Sequence, residues 1–213
     1  MELFFINWGI LIGVMTVGLV SPGPDFVVAV RNSIQYNRQA GIFTALGFAV
    51  AVAVHVTYCL TGLATLISQS ILLFNIFKYV GAAYLFYVGF CALRSKGFTM
   101  DEQNPLSEKL MMTNIQALRS GFITNLFNPK ATMFFLALFT QILSPDVPAW
   151  TSIIYGLTCI IMTAIWFSIV ATILTTPVIR ARFLRYSKWI DRLCGGVLIA
   201  LGIRLALTKV VGQ

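Results

Sequence analysis

Two stretches of this chain place an ionisable side chain directly after a proline within otherwise apolar sequence: Ser21-Pro22-Gly23-Pro24-Asp25 and Asn125-Leu126-Phe127-Asn128-Pro129-Lys130. A carboxylate and an ammonium in such settings can bind the two ends of a zwitterion, exchange a proton, or neutralise each other. His55, the single histidine, adds a group with a reference pKa of ~6.5 that can accept a proton. Hydrolytic and metal chemistry have no such foothold. The sequence contains no H-E-x-x-H, no G-x-S-x-G and no clustered carboxylates, and it lacks the G-x-x-x-x-G-K-[ST] loop of an ATPase. Cys59, Cys91, Cys159 and Cys194 are too scattered for a metal or redox site. No enzyme activity, metal or cofactor is expected.

The elements that must hold these residues are membrane helices. Hydrophobic residues make up 58% of the chain and charged residues 10%, against roughly half and about a quarter in a soluble domain. Apolar stretches long enough for a ~30 Å hydrocarbon core run from Leu3 into the SPGPD region, Ile42 to Leu66, Ile71 to Leu93, Gly121 to Leu143, Trp150 to Thr175 and Trp189 to Leu207. The expected fold is an all-α integral membrane protein of six transmembrane helices. The first stretch is read as a retained helix, because a signal peptide needs a positive n-region and the only charge before it is Glu2.

Basic residues set the orientation. Arg31 and Arg38 fall between spans one and two, Arg94, Lys96, Lys109 and Arg119 between three and four, and Arg180, Arg182, Arg185, Lys188 and Arg192 between five and six. The other two loops have none, so the three basic loops are expected in the cytoplasm and both termini outside. The same distribution explains the net charge of +8 without any nucleic-acid partner. Residues 1–96 form a first three-helix repeat, 97–118 a cytoplasmic linker, and 119–213 a second repeat.

The halves echo one another: Pro22 is matched with Pro129, Gly47 with Gly156, and the Gly81 to Gly89 run with Cys194 to Gly202. A three-span repeat leaves the chain on the opposite side of the membrane, so its copy inserts upside down. Inverted repeats with broken first helices are a common plan of secondary transporters, whose substrate site lies where the breaks meet near the midplane. Pro22, Gly23 and Pro24 interrupt the backbone ladder, and the freed groups survive at depth only against protein or a wet cavity. Pro129 does the same in span four.

Lys130 lies eleven residues beyond Arg119, which is ~16 Å of helix and brings it near the bilayer centre. A bare ammonium there is costly. Asp25 is the expected partner, because the remaining acidic residues fall at span ends or in loops. The two readings are a static ion pair pinning the halves and a substrate site. In the second, a zwitterionic amino acid sets its carboxylate on Lys130 and on amides at a half-helix start, and its ammonium on Asp25 and freed carbonyls. Asn125 and Asn128 either bind substrate or cap the broken helix. His55 is either a proton relay or a packed histidine, and Lys78 and Arg204 are read as snorkelling side chains. Proton coupling would follow from protonation of Asp25 in one facing state.

SPGPDF (21–26), the run through Gly41 and Gly47, TNLFNPKA (124–131) and KWIDRLCGG (188–196) together resemble the LysE/RhtB family of amino-acid exporters over essentially the whole chain. The resemblance implies a small carrier in the bacterial inner membrane that exports amino acids from the cytoplasm, driven by an ion gradient, with protons as the expected partner ion. GPDF at the first motif, where the lysine- and arginine-exporting branch tends to carry GPQN, resembles the branch for homoserine, threonine and other neutral amino acids. Export of basic amino acids or of another small metabolite is the alternative, with a membrane-embedded enzyme as the rival from another class. Assembly as a homo-oligomer is left open.

Overall fold

The computed structural model describes residues 2–69, 71–95, 111–142 and 149–207, and among these the chain is entirely helical. Eight helices follow in order: α1 (Glu2–Val20), α2 (Pro24–Gln35), α3 (Arg38–Gln69), α4 (Ile71–Leu93), α5 (Asn114–Leu126), α6 (Pro129–Ile142), α7 (Ala149–Ile173) and α8 (Pro177–Leu207).

Proline sets the two breaks. α1 stops at Val20 because residues preceding proline are driven out of the α region and Pro22 has no amide to continue the ladder. The chain crosses Gly23 in an extended conformation, φ −163° and ψ −171°. It restarts with Pro24 at the first helical position, where a missing N–H costs nothing. The axes of α1 and α2 are bent by 59°. α5 ends at Leu126, Asn128 N donates back to Asn125 O at 3.0 Å, and Pro129 opens α6. The structural equivalent of Pro129 is therefore Pro24, not Pro22 as the sequence match has it.

Among the described residues, two helices are long and apolar enough to cross a membrane by themselves, Arg38–Gly62 of α3 and Trp150–Ile173 of α7; the bent α1–α2 pair makes a third if taken as one span, and Lys78–Leu93 of α4 is a shorter apolar helix. α8 falls outside this group because its first half carries Arg180, Arg182, Arg185, Lys188, Asp191 and Arg192. That segment is helical from Pro177 and is not the loop before Trp189 that hydropathy suggests, because hydropathy measures apolarity and not helicity. α5 likewise begins at Asn114, inside the stretch read as linker. A capping box starts it: Thr113 Oγ1 accepts from Gln116 N at 3.2 Å, and Gln116 Oε1 accepts from Thr113 N at 2.9 Å. Residues 96–110 lie outside the described residues.

The outer surface is that of a membrane protein. Ile153, Leu157, Ile161, Ile165, Ile169 and Ile173 recur every four residues on α7 and are 41–58% exposed, an apolar stripe suited to lipid. Small residues bring the interior helices together. A Cβ on Gly121 of α5 would collide with the Thr44 carbonyl of α3, and one on Gly47 of α3 with the Leu118 carbonyl of α5. Gly89 of α4 and Gly195 of α8 meet in the same way, each Cβ falling within 2.7 Å of the other's carbonyl. Three apolar clusters surround the breaks, one of them joining Leu11 and Met15 of α1 to Val52, Phe135, Phe139 and Tyr155. Lys78 is buried within the helices, 4% exposed, with its ammonium 5.0 Å from the Tyr79 ring centre; it does not snorkel to an exposed position.

Candidate functional site

The breaks face each other, and each ionisable side chain is held by the opposite break. Asp25, in the first turn of α2, accepts from Asn125 Nδ2 at 2.8 Å on one oxygen and from Asn128 Nδ2 at 3.1 Å on the other. Lys130, in the first turn of α6, donates from Nζ to Ser21 O at 3.1 Å, Ser21 Oγ at 3.0 Å and Pro22 O at 3.2 Å. The charges therefore do not meet in the direct ion pair that the sequence suggests. Their fields still act on one another, and Asp191 acts on Lys130 as well.

Helix electrostatics explain the exchange. A helix N-terminus favours an anion and a C-terminus a cation, so Asp25 sits well in the first turn of its own helix and Lys130 does not. Its four-carbon stem lets it leave that turn for the carbonyls just beyond the C-terminus of α1. Gly23 packs beside this side chain, and a Cβ there would meet Nζ at 3.4 Å and Cδ at 3.5 Å, ordinary contact distances.

Asn128 has two tasks, because its Oδ1 also accepts from Lys130 N at 2.9 Å and so caps α6. Asn125, in the last turn of α5, caps nothing; its side chain serves Asp25. Its Oδ1 is buried with no hydrogen-bond donor, although Asn125 is only 3% exposed. Such an orphan is costly unless a ligand or water supplies a donor. Pro24 and Pro129 set the half-helix starts and remain outwardly exposed, while Pro22 contributes its carbonyl.

His55, on α3, joins the same cluster through the backbone. Its Nε2 lies 3.2 Å from Asn125 O, and a carbonyl only accepts, so that nitrogen carries the hydrogen. Nδ1 is then an acceptor for Tyr58 OH at 2.7 Å. The ring also stacks on Phe135, 5.6 Å between centres. Hydrogen bonds thus run from Tyr58 through His55 to Asn125, whose amide reaches Asp25.

A small cavity is lined by Ser21, Gly23, Asp25, Asn125, Asn128 and Lys130, with Tyr84, Phe134, Phe135 and Thr163 among its other walls. Four residues in or beside the site escape the sequence reading. Ser21 stands in the sequence only as the start of a motif, although its hydroxyl and carbonyl are two of the three acceptors for Lys130. Tyr58, three residues after His55 on the same helix face, has the i, i+3 spacing that signals contact. Asp191 falls at a span end by hydropathy, yet it is 6% exposed and accepts from Ser95 Oγ at 2.5 Å. Thr163 gives no sequence signal beyond its hydroxyl. Among the described residues, no group of three or more His, Cys, Asp or Glu could hold a metal.

The profile of the LysE type translocator family matches residues 16–209. The chain belongs to that family. The threonine efflux protein of Salmonella typhimurium (strain LT2) is 30% identical over 198 residues, covering 91% of this chain and 94% of the relative. The threonine efflux protein of Escherichia coli (strain K12) is 28% identical over 195 residues, with the same coverage. The uncharacterized membrane protein YahN of Escherichia coli (strain K12) is 27% identical over 194 residues, 91% of this chain and 86% of the relative. No solved structure matches the chain. Members of this family are translocators, so the chain is a membrane transport protein and not an enzyme.

Proposed function

We propose that this translocator is a secondary active carrier that exports small neutral amino acids, of the threonine or homoserine kind, from the bacterial cytoplasm across the inner membrane by proton antiport. The reading has six spans in two inverted repeats, α1 with α2 and α5 with α6 each forming one broken span. Residues 97–118 then connect the repeats in the cytoplasm.

The observation that carries the reading is the reciprocal hold across the breaks: Asp25 on Asn125 and Asn128, Lys130 on Ser21 and Pro22, lining one cavity. An amino acid offers the same pair of charges on a single small molecule. Broken half-helices at the midplane are how carriers of this architecture present dipoles to both ends of such a substrate, and the unsatisfied Asn125 Oδ1 leaves an acceptor for an additional donor. The matched relatives named threonine efflux proteins support a neutral substrate. Asp25, with His55 behind Asn125, is the proposed proton carrier.

Proteoliposomes loaded with threonine, homoserine, serine, leucine, lysine and arginine, placed under an imposed pH gradient, test this. Gradient-dependent release of the hydroxylated neutral amino acids, with proton movement in the opposite direction, is the expected result. Release of lysine and arginine alone would assign the chain to the basic branch, and release of none would end the carrier reading.

A further inference from the structure

A lysine ammonium has three N–H donors and no acceptor. Three oxygens receive them at 3.0–3.2 Å: Ser21 O, Ser21 Oγ and Pro22 O. The oxygens belong to the segment just past the C-terminus of α1, where unpaired carbonyls and the helix dipole favour a cation. The lysine belongs to the opposite break and leaves an unfavourable position in its own first turn to reach them. The α1 break thus forms a complete cation subsite that is filled from outside its own repeat. A substrate α-ammonium carries the same charge and the same three donors on the same tetrahedral nitrogen.

We propose that Lys130 is a built-in stand-in for the substrate's ammonium: in the empty carrier it fills the cation subsite of Ser21 and Pro22, and an amino acid binds by displacing it. The idea rests on the carrier reading above and adds a recognition rule to it. A fully engaged Lys130 has no donor left for a carboxylate. Once displaced, all three of its donors are free, so the incoming ammonium and the incoming carboxylate depend on each other. A simple amine brings no acceptor for the displaced lysine, whose carboxylate neighbours Asp25 and Asp191 already accept from Asn125, Asn128 and Ser95, and a buried ammonium short of acceptors is costly. A simple carboxylate cannot replace Lys130 on carbonyl oxygens. Only a molecule carrying both groups completes the exchange, and the empty cavity never exposes bare carbonyls to the membrane interior.

Lys130→Met keeps the stem and vacates the subsite. Binding to purified wild type and variant in nanodiscs is measured calorimetrically with methylammonium, and with tetramethylammonium, which has no N–H donor. Methylammonium should bind the variant at least about tenfold more tightly than wild type, because a tethered competitor acts at millimolar or higher effective concentration; tetramethylammonium should bind neither. Adding Ser21→Ala to Lys130→Met should weaken methylammonium several-fold. Equal methylammonium binding to wild type and Lys130→Met, or none to the variant, overturns the proposal. If Lys130→Met accumulates poorly, methylammonium in the growth and solubilisation media should restore its yield where tetramethylammonium does not, and failure to do so also overturns it. Wild-type amino-acid release is scored separately, so that a missing cation subsite in an active exporter removes the stand-in and leaves the carrier reading in place.

Discussion

Asn128 offers the sharpest quantitative test of how the breaks are joined. It caps α6 by accepting from Lys130 N at 2.9 Å and donates to the Asp25 carboxylate at 3.1 Å. Asn128→Ala removes both bonds. An N-cap is worth about 1 kcal/mol and a hydrogen bond to a charged group about 1.5–3 kcal/mol, so the substitution should cost about 2.5–4 kcal/mol. In an Asp25→Ala background the second bond is already gone, and the same substitution should cost about 1 kcal/mol or less. The coupling between the two positions is then about 1.5–3 kcal/mol, the size measured for contacting groups. The four proteins of the cycle are to be compared by SDS unfolding in mixed micelles. A parallel cycle of Asn128→Ala with Lys130→Met serves as the control. Asn128 bonds only the backbone amide of Lys130, which the side-chain change leaves in place, so that cycle should couple less than the Asp25 one. Should the Asp25 cycle prove additive and the Lys130 cycle coupled, the hydrogen bonds across the breaks are misassigned.

Three further outcomes follow from the same geometry. Gly121→Ala, whose Cβ would meet the Thr44 backbone, should destabilise by about 1–3 kcal/mol or more, while Gly196→Ala, with no atom within 4 Å, should stay within about 0.5 kcal/mol; equal effects in thermal unfolding would contradict the close α3–α5 crossing. His55→Gln retains an N–H for the Asn125 carbonyl but removes the titratable ring, so efflux should persist and lose its pH dependence. An unchanged pH profile returns His55 to packing against Phe135. Asp25→Asn with Lys130→Gln, which would repair a simple ion pair, should not recover amino-acid efflux even where membrane abundance returns, because each charge is bonded to the other break's neutral groups; normal efflux from the double variant would move the substrate site elsewhere.

Much of this arrangement was legible in the sequence because proline and charge are conspicuous in apolar surroundings. The two breaks and helix α4 at Ile71–Leu93 follow from residue type and spacing. The register of the first break did not. Pro22 and Pro24 both interrupt a helix, and only the restart of the backbone shows that Pro24 occupies the position of Pro129. Nor did the true start of α8 or the burial of Asp191, since a basic amphipathic segment continues its helical hydrogen bonds outside an apolar window.

The exchange of partners across the breaks was out of reach for a different reason. Charge inventory alone pairs Asp25 with Lys130, because it counts side chains and omits the backbone. At a break the backbone is itself an ionic ligand, with carbonyls at one helix end and amides at the other. Asp25 and Lys130 occupy equivalent positions after equivalent prolines, yet the dipole of the following half-helix suits one and opposes the other. The lysine is therefore driven outward to the carbonyls of Ser21 and Pro22, and the carboxylate is met by the two asparagine amides. Under the proposed carrier reading, charges held by hydrogen bonds across the cavity are the ones a zwitterion exchanges for its own.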